Sequence, residues 1–485
     1  MYQDLSITDL RKELDSGNIT KEELFNNANS LAHRYQDSIN SFVTIIDDFK
    51  CRKSNSILYA IPYALKDNIS TKGILTTSCS NILKDYIPVY DATVYKKLKN
   101  SGAVLVGKTS MDELAMGGTG TTGNNGIVKN PWDTNRLIGG SSAGSASSVA
   151  LGIVPFSIGS DTGDSIRKPA AYGGVVGFKP TYGLVSRYGL FAFASSLDHV
   201  GCFARSVRDV SIVTDIIKGY DSYDMTSLKD DNKEYSKLID NDIKGRKLFY
   251  FKDVCNIEHY DKSDEELISV LNNFKDTIEK IKELGVVVEE VEFPLNLLEA
   301  IYPTYMAISC AEATSNNSNL TGIQFGPRPI ADSIDDIMFK ARTEGFSELI
   351  KRRFVLGSYI LQKENQEKLY LNACRVRRMI TDKMNEIFRT YDALIMPASG
   401  GVAPDFIASS DKLSDKYLIL ENHMAIGNFG GYPSITIPSG MVNNMPVAIN
   451  ITGRVREDDV VLNIANKIEE KIDFKSYGKV MKCIK

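Results

Sequence analysis

Along the chain, short helical patterns alternate with compact apolar runs of strand length. Near the start, Ser6 precedes a run that Gly17 ends, and Thr20 with Glu23 has capping-box spacing before Leu24, Phe25 and Leu31, so two short helices are expected. Apolar runs at Ile61–Leu65, ending on Lys66, and at Ala103–Val106, ahead of Gly107, read as strands. Both leave polar residues at strand ends, where α/β proteins build sites. Lys247–Phe251 reads as a further strand. Ser263 and Glu266 suggest another capping box, and Leu267, Leu271, Phe274, Ile278 and Ile281 keep helical spacing up to Gly285 before a strand at Val286–Phe293. Strand, helix and strand in that order predict a βαβ crossover, and Asp392–Pro397, Pro433–Pro438 and Pro446–Thr452 add strands. The class is α/β with a parallel or mixed sheet. No internal repeat or long linker divides the chain, so one domain over residues 1–485 with an N-terminal helical segment is expected.

Composition narrows the possible functions. With 57 Lys+Arg against 61 Asp+Glu, a formal charge of −4 and no long run of like charges, the chain does not read as an autonomous nucleic-acid or membrane-surface binder. Any nucleic acid would be gripped mainly by a partner. The seven cysteines are scattered and never spaced as CxxC, which predicts neither a disulfide framework nor a zinc knuckle. Reduced thiols, an amino terminus without a signal pattern and no apolar window of membrane-spanning length lead to a cytoplasmic expectation. Only four histidines occur, His33, His199, His259 and His423, with no HxxxH pair, so neither a histidine metal site nor a Ser-His-Asp triad is expected.

The chemistry concentrates in residues 101–200, which hold 18 of the 36 glycines but only 13 charged residues. Such a stretch is buried and makes many tight turns. Gly139-Gly140-Ser141-Ser142-Ala143-Gly144-Ser145 leads into the small-residue run Ala146–Leu151 and could open a closely packed helix, or be no more than a turn. It lacks the GxxxxGK[ST] pattern of a nucleotide-phosphate loop. Gly159-Ser160-Asp161-Thr162-Gly163-Asp164-Ser165-Ile166-Arg167-Lys168-Pro169 places turn-forming residues before a short helix, which could aim backbone N–H groups at an oxyanion. Equally, it could be a structural turn with Arg167 in an ion pair. A hydroxyl nucleophile needs a base, and in a chain poor in histidine a lysine made neutral by burial is the economical one. Lys66, at a strand end, suits that part.

Together these segments resemble the amidase signature family, whose marks are a lysine ending a strand, a GGSSxGS loop and an S-D-T-G-x-S-I-R segment. The separations, 141 − 66 = 75 and 165 − 141 = 24, agree with the family's own. The resemblance implies the amidase signature fold, a central mixed β-sheet covered by helices on both faces. It also implies Lys66 as base, Ser141 as bridging serine behind a cis peptide, and Ser165 as the acylated nucleophile. The backbone N–H groups of Thr162, Gly163, Asp164 and Ser165 would form the oxyanion hole. The family similarity continues through residues 179–190, and Phe193–Asp198 and Lys351–Gly357 are most similar to the A-subunit group of the glutamyl-tRNA(Gln)/aspartyl-tRNA(Asn) amidotransferases. That likeness implies glutamine as the ammonia source, Arg353 for the glutamine α-carboxylate and Glu421, in place of the group's aspartate, for the α-amino group. It further implies B and C subunits as partners in a heterotrimer, with ATP, Mg²⁺ and Glu-tRNA(Gln) held mainly by the partner, and no metal or cofactor in this chain.

Three positions depart from the family pattern: Ala143 after the double serine, Asp164 before the nucleophile, and Glu421. The segment Met116–Asn124 also lacks the Ser-Thr-Glu run usual there, so no substrate contact is carried over to it. Two other readings stand beside the glutaminase: a free-standing amidase for a small amide, and a structural subunit with a decayed site.

Overall fold

The structure, a computed structural model, describes residues 2–229, 231–406 and 415–474. Its frame is an eleven-stranded mixed sheet in the order β1-β3-β2-β4-β6-β5-β10-β11-β9-β7-β8. In chain order the strands are β1 Phe42–Ile45, β2 Pro62–Lys66, β3 Val104–Thr109, β4 Phe156–Asp161, β5 Val176–Lys179 and β6 His199–Ala204. They continue with β7 Lys247–Phe251, β8 Val287–Val291, β9 Ala393–Pro397, β10 Ser434–Val442 and β11 Met445–Gly453. β2 runs parallel to β3 and β4, and β7 runs parallel to β8 and β9; the other pairs are antiparallel.

Alternation along the strands feeds two cores. Tyr63, Leu65 and Leu105 point into one, whereas Ala64, Val104, Val106 and Phe203 point into the other, where Phe25, Ala28, Val149 and Ala150 meet them from helices. Helices therefore cover both faces, and strands wetted on neither side read as nearly continuous apolar runs, as the sequence shows.

Most expected elements form. Ser6 caps the helix Ile7–Asp15, and Thr20 and Glu23 make a reciprocal capping box on the helix Lys21–Ile39. The βαβ crossover is present as parallel β7 and β8 joined by the helix Glu265–Lys282. Its cap differs from expectation: the Asp264 carboxylate accepts the Leu267 N–H, while the Ser263 N–H is drawn to Asp261. A carboxylate at the cap also favours the positive end of the helix dipole. β3 does not stop before Gly107 but runs through it to Thr109, because a Cβ there would lie 2.5 Å from the Thr44 carbonyl and only glycine lets β1 approach.

Six cysteines among the described residues are free, and no group of three or more His, Cys, Asp or Glu there could hold a metal. Cys483 lies outside the described residues. No described helix is long and apolar enough to cross a membrane.

Candidate active site

Three chain segments converge at the C-terminal ends of β2 and β4. The parallel register pairs Leu65 with Ile158, which brings Lys66 beside the end of β4 at Ser160. The helix Ala143–Ala150 lies against both strands, and Gly144 lets its first turn approach the start of β1 and the end of β3: a Cβ there would be 2.2 Å from the Ser41 carbonyl and 2.6 Å from the Ser110 nitrogen. The glycine-rich segment Gly139–Ser142 therefore enters the site directly, with a cis peptide at Gly140–Ser141. Ala143 begins the helix and is not among the residues with positive φ, so that departure from the family pattern costs nothing. Finally, the turn after β4 carries residues 162–166 into the helix Arg167–Gly173. A Ser142 N–H bond of 3.2 Å to the Ser165 carbonyl ties this turn to the glycine segment.

Lys66 is wholly buried. Its Nζ lies 2.7 Å from Ser141 Oγ, 2.8 Å from Ser142 Oγ and 2.9 Å from Ser160 Oγ. The Ser142 hydroxyl already donates to the Ser160 carbonyl at 3.0 Å, so toward Lys66 it can only accept. Ser160 also faces the lysine with its carbonyl oxygen at 3.3 Å. With its N–H groups used on Ser142 and Ser160, an uncharged Lys66 directs its lone pair at Ser141. Burial pushes the ammonium down to about 7, although Asp112, Asp161 and Asp198 act against it. A large neutral fraction near neutrality is what a base requires.

The turn that carries Ser165 is braced from beneath. Arg167 is fully buried; its Nε and Nη2 donate to the two Asp161 carboxylate oxygens at 3.1 and 2.9 Å, and Nη2 also donates to the Gly163 carbonyl at 2.7 Å. This is the structural ion pair that the sequence left open. Burial raises the Asp161 carboxyl, but Arg167 outweighs it and holds the group far below the usual range. Asp161 further accepts the Ile166 N–H at 2.9 Å. Among the described residues, the N–H groups of Thr162, Gly163, Asp164 and Ser165 donate to no protein acceptor, so they are available to an anion. Ser165 is itself buried, and its hydroxyl has no hydrogen bond among the described residues. Burial lifts the Asp164 carboxyl to about 6, with Lys168 pulling the other way.

Arg353 stands on the helix Glu348–Leu361, stacked over Phe193 at 5.6 Å, with Nε and Nη1 buried and without partners. The ring of Tyr305 lies against the turn that carries Ser165, 2.9 Å from where a Cβ at Gly163 would be, and burial raises its phenol with Arg353 acting the other way. Glu421 accepts from Lys168 Nζ at 2.8 Å and from the Gly400 N–H at 2.7 Å.

A hydrogen-bonded Lys66–Ser141 pair, tied through Ser142 to the turn that carries Ser165, suits serine-based acyl transfer, although no bond joins the Ser141 and Ser165 hydroxyls. Comparison with known proteins agrees: the amidase family profile matches residues 22–462. The chain belongs to the amidase family. Its relatives include the A subunit of the glutamyl-tRNA(Gln) amidotransferase of Fusobacterium nucleatum, 38% identical over 483 residues and covering 97% of each chain. The corresponding subunit of Sulfolobus acidocaldarius is 39% identical over 477 residues, covering 96% of this chain and 98% of the relative. Among solved structures, the Thermotoga maritima glutamyl-tRNA(Gln) amidotransferase A subunit superposes with a TM-score of 0.80 at 35% identity, over 97% of this chain and 95% of that one. The Stenotrophomonas maltophilia peptide amidase, at 23% identity and a TM-score of 0.80, shares the fold over 98% of each chain.

Several residues of this amidase site escaped the sequence reading. Ser142 and Ser160 fix the direction of the lysine lone pair, yet nothing local distinguishes them from other small polar residues. Lys168 pairs with a carboxylate 253 positions away; the only sequence signal was a lysine in a stretch otherwise poor in charge. Asp112 was silent because, the Thr122 hydroxyl apart, its carboxylate is held by backbone groups.

Proposed function

We propose that this chain is the glutaminase subunit of a tRNA-dependent amidotransferase, releasing ammonia from L-glutamine for the amidation of Glu-tRNA(Gln), with Asp-tRNA(Asn) as the alternative acceptor. The carrying observation is the fixed direction of Lys66: two acceptors hold it, and its remaining position faces Ser141 Oγ at 2.7 Å.

Neutral Lys66 accepts the Ser141 proton as Ser141 accepts that of Ser165, and Ser165 Oγ attacks the glutamine side-chain carbonyl. The tetrahedral oxyanion forms against the N–H groups of Thr162, Gly163, Asp164 and Ser165, each worth about 3 kcal/mol when well placed. The proton returns by the same route to the leaving nitrogen, ammonia departs, and water hydrolyses the ester by the reverse relay. The unpartnered Nε and Nη1 of Arg353 are suited to a carboxylate, which supports Arg353 as receiver of the glutamine α-carboxylate. Glu421, paired with Lys168, forms the amino end of the site.

The chain acts as one domain, in the cytoplasm, in a heterotrimer with B and C subunits. ATP and Mg²⁺ are used on the partner that activates the tRNA-bound glutamate, and the tRNA sits mainly there. The names of the relatives support this reading, as does a formal charge of −4, which gives the chain no net attraction for a polyanion.

Ammonia release from glutamine by the chain assembled with its partner subunits, wild type against Ser165→Ala, with charged tRNA and ATP supplied, tests the proposal. Release that needs Ser165 and rises with tRNA and ATP supports the coupled glutaminase. An assembled wild-type complex that releases none rejects it and leaves the small-amide amidase or the non-catalytic subunit.

A further inference from the structure

Asp112 is fully buried and lies directly behind the bridging-serine segment. Its carboxylate accepts the N–H groups of Thr119 at 3.1 Å, Gly120 at 3.0 Å, Thr121 at 3.1 Å and Thr122 at 3.2 Å, together with the Thr122 hydroxyl at 2.8 Å. Its own N–H donates to the Ser141 carbonyl at 3.2 Å, and the Gly140 N–H donates to the Gly118 carbonyl at 3.0 Å. A Cβ at Gly140 would fall 1.9 Å from Asp112 Oδ2, so the carboxylate occupies the space a side chain would need. The segment bearing Ser141 is thus pinned from both sides: by Asp112 directly, and through the loop that Asp112 gathers.

The charge is as notable as the contacts. Among the described residues Asp112 forms no ion pair, since all its partners are neutral donors. The titratable groups that act most on the charge of Lys66 are four: Asp112, Asp161, Asp198 and Cys79. Asp161 is neutralised by Arg167. Asp198 accepts the Thr162 hydroxyl at 2.7 Å and the N–H groups of Phe193 and Ala194, and burial raises it to about 6. The Cys79 thiol is pushed well up by burial and stays protonated. Asp112 and Asp198 are the two of these carboxylates that form no ion pair among the described residues, and the influence of Asp112 on Lys66 is the largest of the four.

We propose that Asp112 is a positioning residue: its buried carboxylate, held by neutral donors alone, fixes where Ser141 stands and leaves a negative charge behind the Lys66–Ser141 pair. This rests on the reading of Lys66, Ser141 and Ser165 as an acyl-transfer relay, and not on glutamine as the substrate.

The test follows covalent labelling of Ser165 by phenylmethylsulfonyl fluoride in the assembled complex, read by mass spectrometry across pH. In that step Ser165 Oγ bonds to sulfur, fluoride leaves, and the Ser165 proton passes through Ser141 to Lys66, so the rate reports the neutral fraction of the lysine without any amide substrate. Asp112→Asn removes the charge at nearly constant volume. Its labelling rate should fall about tenfold or more as Ser141 loses its support. Its acid limb should move to lower pH by about one unit, because a lysine without that carboxylate loses its proton more readily. Thr122→Val keeps the charge while removing one donor, so its limb should stay where the wild type has it. Should Asp112→Asn not assemble, Asp112→Ser, neutral and still an acceptor for the loop, is expected to give the same shift. A limb that does not move in either neutral variant overturns the proposal, as does a complex that neither variant forms although Thr122→Val forms it. A shifted limb in a complex that releases no ammonia from glutamine leaves the proposal standing and rejects the glutaminase alone.

Discussion

At Lys66 two acceptors, Ser142 and Ser160, use up the directions that would otherwise let the amine wander, and the third direction is the chemistry. The pH dependence follows from the same burial. Folding lowers the group from 10.5 to about 7, so the base is neutral above that value and protonated below it. The kcat/KM for glutamine should therefore rise through about pH 7 and be lost on the acid side, which a pH profile of ammonia release will show; a flat profile between pH 6 and 8 removes Lys66 as the base. Lys66→Ala should lower kcat about a thousandfold or more, as removal of a relay member does elsewhere. At Arg353, two buried guanidinium nitrogens without partners have a desolvation cost that a bound carboxylate relieves. Arg353→Ala should raise KM for glutamine about tenfold to a hundredfold, the scale of a lost hydrogen-bonded charge pair. Unaltered glutamine kinetics would take Arg353 out of the site.

Among the elements, local signals and tertiary demands separate cleanly. The capping box on Lys21–Ile39 is closed within four residues, so Thr20→Ala should cost about 1 kcal/mol in urea denaturation while leaving labelling of Ser165 alone. Gly144 is the opposite case. Its missing Cβ would sit 2.2 Å from the Ser41 carbonyl and 2.6 Å from the Ser110 nitrogen, both outside its helix. Gly144→Ala should push the helix Ala143–Ala150 off the sheet, and Ser141 and Ser142 with it, reducing Ser165 labelling by more than its loss of stability accounts for. Equal effects of the two substitutions on labelling would show that the helix does not set the serines. The strand end at Lys66 was legible because β2 is a continuous apolar run. The cap at Asp264 was not, since Ser263 and Asp264 are both competent capping residues and only the backbone path decides which one reaches the Leu267 N–H.

For the molecule as a whole, Arg167 joins distant parts of the chain. Besides Asp161 and Gly163 it donates to the Met424 carbonyl at 2.7 Å, to Asn428 Oδ1 at 2.6 Å and to Ser434 at the start of β10 at 3.3 Å. Arg167→Met would strand the Asp161 carboxylate in the interior, at a cost of about 3–5 kcal/mol. A denaturation midpoint unchanged at pH 7 would contradict this. In the wild type the folded Asp161 value lies below the ordinary one, so its contribution is present above about pH 4 and disappears as the pH falls. The sequence by itself determined the α/β class and most strand and helix positions, and it pointed to Lys66, Ser141 and Ser165 as candidates once their spacing was compared with a known pattern. Each of these is written in short-range periodicity or in a run of adjacent residues. Tertiary structure alone decided the surroundings of Lys66: Lys66 and Lys108 are both fully buried on neighbouring parallel strands, but Lys108 meets Asp67 at 3.3 Å whereas Lys66 meets three serine hydroxyls. It also decided that Lys168 holds Glu421 and that Asp112 stands behind Ser141. Burial, lone-pair direction and uncompensated charge depend on what packs against a residue from far along the chain, and no local pattern carries them.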